Sequence, residues 1–304
     1  MKKFLSLAIA IIMILACLTA CGKPATDNSE ASAPESSVSE SSASVPESSA
    51  SVPESSSKES SASEASAKEP EEEPSYEAMK ITTAPTIDGV ITEEEWGAPF
   101  LSFDQNTERC YQDFHDGYVK LSATLWIRWD ETYLYIGLTS PEPDGQYCSD
   151  IPGRSWDGDS LQIAIDPNGP NTTGDVMEPF TDRMINVSFS LITSTGEMCV
   201  YDHSAAVNAD HSLTDAKFVY SLSDDNISTW EVAIKHSDIC ANYADRLAEI
   251  GEGFVYGISV VRLNAAPEDE AYNGWLSWGS GICWPRFEDD PGANKLVLTA
   301  APAV

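Results

Sequence analysis

Basic residues are scarce. Seventeen lysines and arginines stand against 49 acids, a formal charge of −32 over 304 residues. A nucleic-acid binder must meet phosphate with Lys and Arg, so this balance excludes that class of partner. It equally excludes attachment to anionic lipid by charge. Histidine occurs four times, at His115, His203, His211 and His236, never at zinc-protease spacing. No Cys-x-x-Cys pair, Gly-x-Ser-x-Gly elbow or phosphate-cradling glycine loop is present. Carboxylates are too numerous for any pair to stand out as hydrolytic, and they read as solvated surface groups.

Aromatic residues are also absent over a long stretch, between Phe4 and Tyr76. Residues 1–21 explain its beginning. Lys2 and Lys3 precede an apolar run from Phe4 to Leu18, too short for a permanent membrane span, and Thr19-Ala20-Cys21 follows. Leu18-Thr19-Ala20-Cys21 resembles a bacterial lipobox. That resemblance implies lipidation at Cys21 and anchoring to the outer face of the bacterial cell membrane, of the Gram-positive type.

Residues 22–75 are rich in Ser, Glu, Pro and Ala, with Ser-Ser-Ala-Ser-Val-Pro-Glu at 41–47 repeated at 48–54. Such a stretch has too little apolar surface to offset its ordering entropy, which predicts a disordered linker. Twelve acids against three lysines make it self-repelling, with a random-coil span of roughly 40 Å. Residues 76–304 hold all eight tryptophans and form the folded domain.

The domain reads as strand. Leu121, Ala123, Leu125, Ile127 and Trp129 alternate with other types, Asp130-Glu131 supplies a turn, and Tyr133 to Leu138 returns as a hairpin. Further runs lie at 160–166, 184–192, 198–201, 217–222, 229–235, 254–263 and 294–299, separated by Gly, Pro, Asn and Asp. Helix is expected only around Glu93–Trp96 and after His236. This pattern predicts an all-β, antiparallel two-sheet β-sandwich of jelly-roll or immunoglobulin-like type. Of seven cysteines, Cys17 leaves with the signal and Cys21 takes the lipid. Five remain, Cys110, Cys148, Cys199, Cys240 and Cys283, an odd number compatible with zero to two disulfides. His203 and His211 flank a polar loop, predicting solvated imidazoles.

One segment carries more information. Ser155-Trp156-Asp157-Gly158 leads into Asp159-Ser160-Leu161-Gln162-Ile163-Ala164-Ile165-Asp166. Leu161, Ile163 and Ile165 share one face of a strand, Gln162 and Ala164 the other. In 184–192, Ile185, Val187, Phe189 and Leu191 are apolar while Asn186, Ser188 and Ser190 share the opposite face. The two strands predict a shallow polar platform with an exposed tryptophan at its rim, suited to a sugar: the ring stacks on C–H faces and amides bond hydroxyls. Near the C-terminus lie Trp275-Leu276-Ser277-Trp278 and Trp284-Pro285-Arg286-Phe287. The first pair reads as core, while Trp284 sits in a loop.

These residues resemble carbohydrate-binding module family 9 and its DOMON-like β-sandwich relatives. Ile87-Asp88-Gly89 with Glu95-Trp96 resembles the family's opening motif, and Trp129 to Tyr135 its hairpin. Trp156 to Asp166 resembles the binding strand, Trp230-Glu231-Val232-Ala233-Ile234 a later strand, and Trp278, Trp284 and Lys295-Leu296-Val297-Leu298 the closing pattern. The resemblance implies a sugar ring held between Trp156 and Trp284, with Gln162, Asn186 and Ser188 as polar partners, and a glucan or xylan chain or oligosaccharide as ligand. Gln162 stands where the family has an acid; Asn186 and Ser188 stand where it has Arg and Asn. Structural calcium, common in the family, would fall to Asp166 and Asn168, or to Asp88 and Glu94. The expected function is non-catalytic carbohydrate binding by a surface lipoprotein. The rivals are a DOMON-like haem-binding electron-transfer domain with Met184 and His203 as axial ligands, an adhesion or scaffold domain, and an exported hydrolase.

Overall fold

The computed structural model describes residues 74–114, 121–143, 145–170, 184–192, 194–203, 213–266, 271–279 and 293–301. Cys21, the signal segment and nearly all of the linker lie outside the described residues, as do His115, His211, Cys283 and Trp284. The described strands are β1 (Ser75–Lys80), β2 (Leu101–Phe103), β3 (Cys110–Phe114), β4 (Ala123–Trp129), β5 (Tyr133–Pro141), β6 (Ser160–Asp166), β7 (Ile185–Ile192), β8 (Glu197–Asp202), β9 (Lys217–Leu222), β10 (Ile227–Lys235), β11 (Val255–Ala266), β12 (Ala271–Trp278) and β13 (Asn294–Thr299). Short helices α1 (Glu93–Trp96), α2 (His236–Ile239) and α3 (Ala244–Ala248), with a 3-10 turn at Pro152–Asp157, complete the set.

The protein is all-β, in one hydrogen-bonded sheet of order β8-β7-β6-β11-β13-β1-β4-β5-β10-β9. β12 continues from β11 to β3, and β2 lies beside β4. The sheet curls around a main core: Leu125, Ile127, Ile136 and Leu138 from one half join Leu161, Ile163, Val187, Ile258 and Trp278 from the other. Phe189 of β7 meets Phe218 of β9 at 5.4 Å between ring centroids, so strands near opposite ends of the order touch.

One expectation is corrected. The pairing is not wholly antiparallel, because β1 runs parallel to both β13 and β4. Alternation reports which face a side chain takes, not strand direction. β1 enters between two strands that already run its way.

The motif residues that carried the family resemblance act as fasteners. Glu231 of β10 accepts from the backbone N–H of Asp88 at 2.8 Å, from that of Gly89, and from the Trp96 indole at 3.0 Å. The carboxylate thereby pins the Ile87-Asp88-Gly89 turn and the fully buried Trp96 to the sheet. Gly89 takes φ +89°, and a Cβ there would lie 3.0 Å from that of Ser221, so glycine is required. In the β4–β5 turn, Asp130 Oδ1 accepts from the N–H of Thr132 at 2.7 Å and of Tyr133 at 2.8 Å, while Oδ2 accepts from the Tyr135 hydroxyl at 2.7 Å. Replacing Asp130 by alanine is expected to cost about 1–2 kcal/mol, since it removes three acceptor contacts at a partly exposed turn. Chemical denaturation measures this, and an unchanged midpoint would show the turn to be self-sufficient.

Candidate functional site

The site is built on one face of β6, β7 and β8. Register sets its rows: Gln162 pairs with Ser188 and Ser188 with Tyr201, Ala164 pairs with Asn186, and Ser160 with Ser190 and then Cys199. Paired residues in a sheet point to the same side. The apolar residues between them enter the core, so this face receives the polar set, as the alternation predicts.

Gln162, Asn186 and Ser188 therefore come together. The Gln162 amide donates from Nε2 to Asn186 Oδ1 at 2.7 Å. The Ser188 hydroxyl and His203 Nε2 are 2.7 Å apart and share a hydrogen bond. His203 continues the β8 pairing, its N–H donating to Asn186 O at 2.8 Å, and its ring meets Tyr201 edge-on at 4.9 Å.

Two expectations are corrected here. The platform is not open: Gln162, Asn186 and Ser188 are buried. The 3-10 turn packs over β7 and β8, with Gly153 against the Tyr201 ring. His203 is not solvated but buried, because the continued β8 pairing turns its ring onto Ser188. Burial lowers its pKa to about 4, so the imidazole is neutral at pH 7.

Trp156 occupies the 3-10 turn and is 41% exposed, as expected of a rim residue. The Arg154 guanidinium lies 5.6 Å from its ring centroid and pairs with Asp157, so a cation already supports the ring. Whether Trp284 faces Trp156 falls outside the described residues.

Sequence reasoning missed the other half of the face. Val261 of β11 lies opposite Gln162, Leu263 opposite Ser160, and Trp275 of β12 opposite Leu263. Val261, Leu263 and Trp275 form a separate apolar cluster on this side of the sheet. Trp278, three residues on, enters the main core. The alternation of 271–278 could have separated the two tryptophans, had the segment been read as a strand. Trp275 Nε1, Ser160 Oγ and Ser155 Oγ are buried with no hydrogen-bond partner among the described residues.

Asp166 and Asn168, the calcium candidates, form a local turn in which Asp166 Oδ1 accepts from the Asn168 N–H at 2.8 Å. Among the described residues no group of three or more His, Cys, Asp or Glu side chains could hold a metal ion. Met184 directly precedes β7, and His203 Nε2, the other proposed haem ligand atom, is engaged by Ser188. Cys110, Cys148, Cys199 and Cys240 are present as thiols.

No family model and no curated protein matches this chain. Among solved structures it is similar to a family 9 carbohydrate-binding module from Caldicellulosiruptor kristjanssonii in complex with cellotriose. That match is 12% identical, with a TM-score of 0.49, covering 76% of this chain and 98% of the other. A glucose complex of a family 9 module from the same organism aligns at 11% identity and a TM-score of 0.49, covering 75% and 98%. At this identity and score the likeness assigns no ligand, and the functional reading rests on the chain's own residues.

Proposed function

We propose that this protein is a non-catalytic carbohydrate-binding domain carried on a surface lipoprotein. The observation that supports the reading best is the exposed Trp156 ring at the edge of a face where Gln162, Asn186 and Ser188 are hydrogen-bonded into place. A pyranose has apolar C–H faces and a belt of hydroxyls. Trp156 supplies a stacking surface for a C–H face, while Gln162, Asn186 and Ser188, buried and bonded to one another and to His203, fix the sheet that carries it. Trp284 is the second side of the clamp in this reading. The side chains meeting at the centre of the face are uncharged at pH 7, whereas glycoside hydrolysis uses two carboxyl groups flanking the bond. Cys21 would carry the lipid, and residues 22–75 would hold the domain away from the membrane.

Stacking of a flat ring on an aromatic side chain contributes about 1–3 kcal/mol. Trp156→Ala is therefore expected to weaken binding of cellotriose by roughly 5- to 150-fold and to abolish retention on cellulose or xylan gels. The thermal transition should change little, because the ring is half in solvent. Trp284→Ala is expected to behave alike. Undiminished retention in both variants would falsify the clamp.

A further inference from the structure

We propose that Asp159 is the positioning residue of this site, tying the Trp156 turn to the sheet from the core side; the inference rests on the carbohydrate reading above. Gly158 joins the turn to Asp159 with no room to shift. A Cβ on Gly158 would lie 2.6 Å from the Ser149 nitrogen and 2.8 Å from Cys148 Cα.

Asp159 is bonded through every polar atom it has. Its N–H donates to Tyr147 O at 2.6 Å, and its carbonyl accepts from the Ser190 hydroxyl at 2.9 Å and the Cys148 thiol at 3.4 Å. Carboxylate Oδ2 accepts from the Tyr147 N–H at 2.6 Å. Oδ1 accepts from the Ala265 N–H at 3.1 Å and from Arg262 Nη1 and Nη2 at 3.3 and 3.4 Å. One residue therefore fastens the preceding loop, β7 and the end of β11 to a point three residues from Trp156.

All of these carboxylate contacts are acceptances, so the ionised form satisfies them in full. A proton takes acceptor capacity away and adds an O–H among N–H donors, which weakens the set. Burial pushes the Asp159 carboxyl up to about 6 against the attraction of Arg262. The groups facing it are Arg262 from β11, Glu142 after β5, Tyr220 from β9 and Cys148 from the preceding loop. Glu142 shares the Arg262 guanidinium with Asp159. Burial holds the Tyr220 phenol and the Cys148 thiol protonated.

The test uses the full chain labelled with 5-fluorotryptophan, the Trp156 resonance being assigned by its loss in Trp156→Phe. Between pH 7.5 and 5.0 the wild-type Trp156 signal should shift or broaden, and cellotriose affinity should fall about tenfold as the competent fraction falls. Asp159→Asn should show the low-pH signal and affinity already at pH 7.5, with no further change on acidification. His203 does not intervene, since it titrates lower. The wild-type series decides the matter even if the variant does not fold. A Trp156 resonance indifferent to pH overturns the proposal. Absence of cellotriose binding by the wild type at every pH sinks the carbohydrate reading instead, while the resonance still reports on Asp159.

Discussion

Replacing Arg262 by alanine is expected to lower the unfolding free energy by about 3–5 kcal/mol, the usual cost of stripping one partner from a buried ion pair. Arg262 lies on β11, one of the strands in the middle of the sheet order, and its side chain is fully buried. It bonds Glu142 and Asp159, both of which are also fully buried, and its guanidinium lies 5.4 Å from the Trp230 ring centroid. Removing the cation leaves two carboxyl groups in the protein interior without a counter-charge, besides the lost packing on Trp230. Domains of ordinary size hold about 5–15 kcal/mol in total, so the variant should be marginal. Urea denaturation at pH 7 measures the loss. Adding Glu142→Gln to Arg262→Ala should recover part of it, because one fewer charge remains buried; a pure cavity effect would not recover. A loss under about 1 kcal/mol would mean that the acids simply take up protons.

This cluster also marks where reading the sequence stops. The apolar run at 254–263 predicts β11 well, yet Arg262 within it looks like the run's end, and its partner Glu142 lies 120 residues earlier. Strand identity was legible because alternation is local: Leu161, Ile163 and Ile165 enter the core, and β6, β9 and β13 begin and end where the pattern does. β1 was not read as a strand, since its neighbour β13 lies some 220 residues away and a parallel pairing leaves no hairpin signal. The chemistry of Gln162, Asn186 and Ser188 was legible, but their burial was not, because a turn and a continued strand cover them. Asp130, Glu231 and Trp96 carried the family resemblance, and their hydrogen bonds show why a fold would need those residue types there. Trp275 and Trp278 both read as core, and both are buried, but Trp275 lies in a small cluster with Val261 and Leu263, apart from the main core that takes Trp278.

The buried histidines set the second large effect, a change in stability with pH. The folded-state pKa of His203 is about 4 against an ordinary 6.5, with burial as the cause. Folding therefore favours the neutral ring. Its full contribution is present above pH 6.5 and is lost as pH falls from 6.5 towards 4, at about 1.4 kcal/mol per unit. The loss at pH 4 is about 3 kcal/mol. His236 works in the same direction, since burial lowers its pKa while its ring nitrogens bond the Tyr256 hydroxyl and Asp130 O. Asp159 works against both: a raised carboxyl pKa makes the fold take up protons between pH 6 and 4, which stabilises it on acidification. The wild-type curve is thus a flattened sum, and only a comparison isolates one group. His203→Asn keeps an amide near Ser188 and removes the titration. The stability difference, wild type minus variant, should shrink by about 3 kcal/mol from pH 7 to pH 4, with most of the change below pH 6.5. Denaturation curves that stay parallel over that range would place His203 in contact with water and remove it from the buried face.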